Sequence, residues 1–314
     1  MSPVCPACGA ASATTLAEAH HDRHSGTDYT LHACGCGVVF AWPCEPACAA
    51  WYAAAVPLEA SRPPGDDPRY RLFFSDLAPE PGLLDLGCGD GGFLALARER
   101  GFSPCTGLDH DERRAALARE KGLDARTGDW AAFLRGLPEG SLKTATLFDV
   151  LEHLHDPRGL LKELRRALGP GGRLALTVPN ASRPLPFGRE DFDLPPHHLT
   201  RWTPAALRAF LEREGFSVTR LDASRQDWSL TRELMALHWG VKPIAALKRL
   251  LLGAAPKAMT DAAPSQGSAR RGLFDLYKTF CECLAAAPAA LLCAWWSLTR
   301  PDSGPSLYIS ARRR

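Results

Sequence analysis

Leu83–Phe102 reads LLDLGCGDGGFLALARERGF, and this stretch decides the fold. An apolar strand ends at Asp85, a turn carries Gly87, Gly89, Gly91 and Gly92, and helical periodicity runs from Phe93 to Arg100. Glycines permit positive φ and let the backbone approach a ligand closely, while the helix that follows offers free N–H groups. The pattern is a strand–loop–helix nucleotide site. Dinucleotide dehydrogenases use a similar turn, so neighbouring features must discriminate. The next strand, Cys105–Asp109, ends in an acid roughly twenty residues beyond the glycines, placed for ribose hydroxyls in either cofactor class. Asp85 puts a carboxylate before the first glycine, which suits a ligand with an ammonium group and no pyrophosphate. Gly128-Asp129-Trp130 then offers a carboxylate and an aromatic plane for an adenine ring.

The rest of the chain sets the context. Its 314 residues allow roughly two domains, or one domain with an appended module. The 46% hydrophobic and 23% charged fractions exclude wholesale disorder and a multi-span membrane protein. With 37 Lys+Arg against 35 Asp+Glu, the net charge of +2 is too even for a surface built throughout to bind nucleic acid. The start MSPVCPACGA lacks the pattern of a signal peptide, so an intracellular, cytoplasmic chain is expected. Six of the eleven cysteines precede residue 50. Cys5-Pro-Ala-Cys8 and Cys34-Gly-Cys36 read as two knuckles joined by a hairpin, hence a zinc-ribbon-like module with structural Zn2+ on Cys5, Cys8, Cys34 and Cys36. The second knuckle departs from the common spacing, since Ala33 stands where a cysteine is usual, and His32, Cys44 and Cys48 compete for the fourth position.

From Leu83 to about Leu221 the chain resembles the class I S-adenosylmethionine-dependent methyltransferases, particularly the bacterial small-molecule subgroup that includes the ubiquinone-biosynthesis O-methyltransferases. The resemblance rests on LLDLGCGDGGFL, GLDHD, TGDW, FDVLEHLHDP (Phe148–Pro157), LGPGGRLALTVPN (Leu168–Asn180) and HHLTRWTPAALRAFLEREGF (His197–Phe216), in that order. It implies an α/β fold with a Rossmann-like seven-stranded sheet and S-adenosyl-L-methionine as cofactor. It also implies that Asp85, Gly87, Gly89 and Gly91 serve the methionine end and its loop, Asp109 the ribose, and Asp129 with Trp130 the adenine.

Phe148–His153 is the most chemically loaded segment. On a helix starting there, Asp149, Glu152 and His153 share one face at i, i+3 and i+4. Three roles stand side by side: His153 as general base, a divalent cation on the acid-x-x-Glu-His pattern of the ubiquinone-type relatives, or a structural role for Glu152 and His153. His197 and His198 follow the loop Phe187–Pro196, expected as part of a lid, and either is a further candidate base; His198 also suits a cap on the helix begun by Thr203-Pro204.

Between the sixth strand (Ser217–Ala223) and an antiparallel seventh (Ser306–Ala311) lie two apolar helical stretches, Leu230–Leu252 and Leu273–Leu298. Leu284–Leu298 is interrupted by Pro288 and is shorter than the roughly twenty residues of a bilayer span, so no transmembrane helix is expected. Trp295, Trp296 and Arg300, and Lys248 and Arg249 beside Leu250–Leu252, suit a peripheral contact at the inner membrane face; a cap over the pocket or a dimer surface competes with it. The domain expectations are a module at 1–48, a linker with short helices at 49–80, a methyltransferase domain at 81–226 plus 304–314, and an insertion at 227–303. The expected activity is methyl transfer to oxygen or carbon of a small molecule, sugar or lipid-linked substrate, without nucleic acid as partner and with the oligomeric state open. An RNA base methyltransferase is disfavoured because residues 1–50 carry only Arg23 as a strong cation, and a non-catalytic cofactor-binding scaffold is the other rival.

Overall fold

A computed structural model describes residues 2–48, 51, 52, 55, 65, 67–184, 189, 191–226, 228–238 and 268–314. Lys248, Arg249, Leu250–Leu252, the tip of the 187–196 loop and much of the 49–66 linker lie outside the described residues. The chain divides into two units, one of residues 1–183, 190–224 and 306–314, the other of 184–189 and 225–305.

Among its described residues the first unit holds eleven strands in two sheets: β1 (Ala13–Asp22), β2 (Thr27–Cys34), β3 (Val39–Trp42), β4 (Leu83–Leu86), β5 (Cys105–Asp109), β6 (Ala125–Thr127), β7 (Leu142–Phe148), β8 (Leu168–Pro179), β9 (Thr200–Arg201), β10 (Phe216–Ala223) and β11 (Ser306–Arg313). The large sheet has the order β10-β11-β8-β7-β4-β5-β6. Strand β4 lies parallel to both β5 and β7, with all four of its residues buried, as expected of a strand covered on both faces. Strand β11 runs antiparallel between β8 and β10, so the seventh strand is where the sequence placed it, extended to Arg313.

Each helix on this sheet begins on a local signal. Asp67 caps α1 (Pro68–Asp76), Asp111 caps α3 (Glu112–Glu120), Asp129 caps α4 (Trp130–Gly136) and Asp156 caps α5 (Pro157–Ala167). Thr203 caps α6 (Pro204–Arg213) with its hydroxyl on the Ala206 amide, the helix start that Thr203-Pro204 signals in the sequence, and His198 makes no cap there. Helix α2 (Gly92–Glu99) starts from the left-handed Gly91. A Cβ on Gly91 would lie 2.4 Å from Leu123 Cδ1 and 2.9 Å from Ala118 Cβ, so this glycine serves the packing of loop on α3.

The cysteine module is not a separate body. β3 pairs with β9 from the far side of the chain, completing a β1-β2-β3-β9 sheet, and Cys5, Ala7, Cys34, Val38 and Phe40 share one core with Leu207, Phe210 and Leu211 of α6. Arg213 donates to the Ala7 carbonyl at 2.7 Å, and Arg201 pairs with Glu18 at 2.8 Å.

In the second unit, α7 (Trp228–Ala236) packs on α8 (Ser268–Thr299) through Met235, Ala236, Cys281, Ala285 and Ala289, with Arg232 paired to Glu282 at 3.3 Å. Pro288 does not interrupt α8, contrary to the expectation from sequence. It sits on the exposed face beside exposed Leu284, whose carbonyl loses its helical partner where water can replace it. Thr279–Thr299 is consequently long and apolar enough to cross a membrane by length and composition.

Candidate functional site

A cavity of ≈ 460 Å³ opens at the C-terminal ends of β4, β5 and β7, where ligands bind in open parallel sheets. Gly87, Gly89, Asp109, Asp129, Trp130, Asp149 and His153 line it among the expected residues. Asp85, Gly91, Glu152 and His198 do not. Tyr52, with Pro46 and Ala47, contributes a wall that sequence patterns did not mark.

The glycine loop is shaped by two constraints. Gly87 has φ +76°, and a Cβ there would meet Val150 Cγ2 at 2.4 Å; Gly89 has φ +55° with nothing within 4 Å of its would-be Cβ, leaving the cradle open. Asp109 holds the loop from β5. One carboxylate oxygen accepts from the Gly89 amide at 2.8 Å and the other from the Asp111 amide at 2.8 Å. Each oxygen retains a second lone pair for a ligand hydroxyl. Asp129 accepts from Ala132 N at 2.8 Å, and Trp130 packs partly against the core, so both residues also have local structural work.

Asp85 lies beneath the pocket, 2% exposed, accepting from the Thr146 hydroxyl at 2.7 Å. Burial pushes its carboxyl up to about 7, with the Asp109 charge acting in the same direction.

The Phe148–His153 segment departs from the expected helix. Asp149 has φ +55°, and only Leu151–His153 forms a short 3-10 turn. The shared face of Asp149, Glu152 and His153 is therefore not formed. Asp149 is occupied elsewhere: Arg69 of α1 donates to one oxygen at 2.5 Å and Thr177 of β8 to the other at 2.8 Å. Arg69 is itself held by Asp67. No local pattern marks this clamp, because its two ends are far apart in the chain.

His153 instead joins His197 and His198. Ring centroids lie 4.5 Å apart for His153 and His197, 5.0 Å for His153 and His198, and 4.8 Å for the stacked His197 and His198. Burial and the two neighbouring imidazoles hold His153 well below the ordinary histidine range, and burial with His198 takes His197 down to about 4, so both rings are neutral. Glu152 is 1% exposed and neither carboxylate oxygen has a hydrogen-bond partner from another residue. Burial first, and the Asp149 charge second, push it well above the usual carboxylate range. Tyr52 and His110, in edge contact at 4.6 Å, face the same pocket; burial raises the Tyr52 phenol to about 12.

At the N-terminus, Cys5, Cys8, Cys34 and Cys36 come together, with all four sulfurs within 4.8 Å of one another. The Cys5–Cys36 and Cys8–Cys34 separations are 3.7 and 3.4 Å, near the edge of about 3.8 Å for a tetrahedron with Zn–S of about 2.3 Å. His32 is excluded from the set because its two ring nitrogens face Thr15 and Thr30 hydroxyls at 3.2 and 2.9 Å. The geometry of both knuckles fits a structural metal.

Residues 63–221 match the protein family described as "Methyltransferase domain". Among curated proteins, the chain is 36% identical over 138 residues to one from Mycolicibacterium smegmatis named "Probable S-adenosylmethionine-dependent methyltransferase", covering 43% of this chain and 52% of that one. It is 32% identical over 103 residues to a ubiquinone biosynthesis O-methyltransferase of Idiomarina loihiensis, covering 31% and 42%. The chain thus spans about half the length of the curated relatives it matches. The fold resembles a crystal structure of a SAM dependent methyltransferase from Archaeoglobus fulgidus, with TM-score 0.50 and 19% identity, covering 78% of this chain and 91% of that one.

Proposed function

This chain belongs to the methyltransferase-domain family, and from that premise we propose that it transfers a methyl group from S-adenosylmethionine to an oxygen or carbon of a small, bulky or lipid-linked acceptor. When bound, the cofactor supplies a methyl group on a sulfonium, which needs an aligned nucleophile and a dry site more than a covalent intermediate. The observation that carries this reading is the Asp109–Gly89 pairing at the mouth of an open cradle. It presents a carboxylate to ribose hydroxyls while leaving the space over Gly89 free. Trp130 and Asp129 serve the adenine on one side, and Asp85, under the loop, favours the cationic methionine end. The Asp149–Arg69 clamp shapes the opposite wall, which narrows the role first considered for Asp149 to positioning. The acceptor is ionised at His153, whose neutral ring borders the cavity with His197 and His198 packed against it.

The second unit supports an apolar acceptor. Phe280, Leu284, Leu291, Trp295 and Leu298 are the large exposed apolar residues of α8 among the described residues. At 3.6 residues per turn they fall within an arc of about 60°. Such a stripe, with Trp295 and Leu298 in its last turn and Arg300 following, suits a peripheral lipid contact. Structural zinc on the four cysteines stabilises the module that donates β3 to the β3–β9 pair.

Incubation of the purified chain with methyl-labelled S-adenosylmethionine and separate aqueous and lipid fractions of cell extract tests the proposal. Label is expected in an extractable small or lipid-linked product. Label confined to RNA, or no transfer in any fraction despite cofactor binding, overturns it in favour of the RNA enzyme or the non-catalytic scaffold.

A further inference from the structure

The imidazole cluster has a feature that a simple base does not need. His153 Nδ1 donates to the His197 carbonyl at 2.5 Å, and His197 Nδ1 donates to the Phe192 carbonyl at 2.8 Å. His198 Nδ1 lies 3.5 Å from the Asp193 carboxylate. Asp193 is buried and paired with Arg183. His153 and His197 therefore each spend Nδ1 on a backbone carbonyl, which leaves Nε2 to face a ligand, while His198 turns Nδ1 toward Asp193. Such outer partners fix the tautomer and aim of metal-bound histidines. The three rings each offer a ring nitrogen within 4.8 Å of the others. Glu152, buried and unpartnered, has a carboxylate oxygen 3.9 Å from His153 Nε2.

We propose that His153, His197 and His198, backed by the Glu152 carboxylate, bind one divalent first-row transition-metal ion beside the pocket, at the wall that His153 forms. Imidazole nitrogens with one carboxylate suit zinc, cobalt, nickel or iron and disfavour magnesium and calcium. The ion resolves two electrostatic costs together: it gives the buried carboxylate a counter-charge and the clustered ring nitrogens an acceptor. This site differs from the acid-acid-His face expected from sequence, since Asp149 is committed to Arg69 and Thr177 and takes no part. The proposal rests on the reading of the pocket as the place where an acceptor is ionised. There the ion lowers the pKa of a coordinated hydroxyl or enol.

The test uses the full chain, stripped of metal under reducing conditions and titrated with cobalt(II) chloride. The four-cysteine site announces itself by thiolate-to-cobalt charge-transfer absorption, and the imidazole site by d–d bands without it. Wild type is expected to bind one ion beyond the cysteine site. His197→Ala and the near-isosteric Glu152→Gln are expected to weaken that second ion at least tenfold and leave the thiolate bands unchanged. Absence of a second ion in wild type, or equal affinity in Glu152→Gln and wild type, overturns the proposal. Calorimetric binding of S-adenosylhomocysteine in the same samples separates the two layers. Product bound without a second ion removes the metal site and spares the proposed function, whereas a second ion without product binding removes the proposed function.

Discussion

Replacing Asp109 by Asn leaves the shape of the side chain and removes half of what it does. Both carboxylate oxygens accept a backbone N–H, from Gly89 and Asp111, each at 2.8 Å, and the residue is only 5% exposed. An amide presents one oxygen and one NH2, so whichever way it turns, one backbone N–H faces another N–H. One charge-assisted bond is lost and a buried donor goes unpaired, while the surviving bond becomes neutral, for a total of about 2–4 kcal/mol. That is a large share of the roughly 5–15 kcal/mol that stabilises an ordinary domain. Urea unfolding of wild type and Asp109→Asn without any ligand reads the loss directly. Calorimetry with S-adenosylhomocysteine should show a further weakening of binding, because the Gly89 loop is no longer held and the ribose loses an ionised acceptor. If the variant unfolds within about 0.5 kcal/mol of wild type, the carboxylate is not holding the loop and the account of the cradle fails.

Other outcomes follow from the same geometry. Asp85 keeps its proton to about pH 7 in the folded chain and loses it near 3.8 when unfolded. Stability should therefore fall as pH rises through that window, by about 4 kcal/mol for a shift of about three pKa units, and level off above it. Asp85→Asn should flatten this dependence, as read by unfolding free energies from pH 4 to 8, a range set roughly by that window. A cationic ligand favours the ionised carboxyl, so S-adenosylmethionine should bind more tightly as pH approaches 7, a dependence that Asp85→Asn should abolish in calorimetry. Gly87→Ala combines a left-handed backbone with the 2.4 Å clash on Val150 and should cost about 2–5 kcal/mol. Gly89→Ala meets no such clash and should cost only about 1–2 kcal/mol in thermal or urea unfolding, yet weaken cofactor binding because its methyl enters the cradle. Zinc is expected in elemental analysis of carefully prepared protein, and its removal by chelator should loosen the Cys5–Cys36 knuckles, seen as earlier proteolysis between β1 and β3.

Sequence carried most of the parallel sheet because each of its signals is local. The β4 run, the left-handed glycines and the Asp and Thr caps with their following prolines each fix a few neighbouring residues. The four-cysteine cluster was similarly local, apart from the place of His32, whose ring nitrogens face the hydroxyls of Thr15 and Thr30 across the hairpin. What stayed hidden was assembled at long range. The helix expected from Phe148 gives way to a turn because the left-handed Asp149 is fixed by Arg69 and Thr177, neither of them nearby in sequence. His197 and His198 were visible as candidates, but their convergence on His153 is a tertiary contact with a residue far earlier in the chain. Tyr52 carried no motif at all, and its place in the wall comes from its contacts with His110 and His197, far away in the chain. Pro288 misled because proline is costly inside a helix, whereas here it lies on an exposed face.

The central claim is that the cleft beside Gly87 and Asp109 takes a sulfonium methyl donor. Isothermal titration of one protein preparation with S-adenosylmethionine and, separately, with NAD tests it most directly. Saturable one-site binding of S-adenosylmethionine with no heat from NAD is the predicted result; binding of NAD with none of S-adenosylmethionine would contradict it.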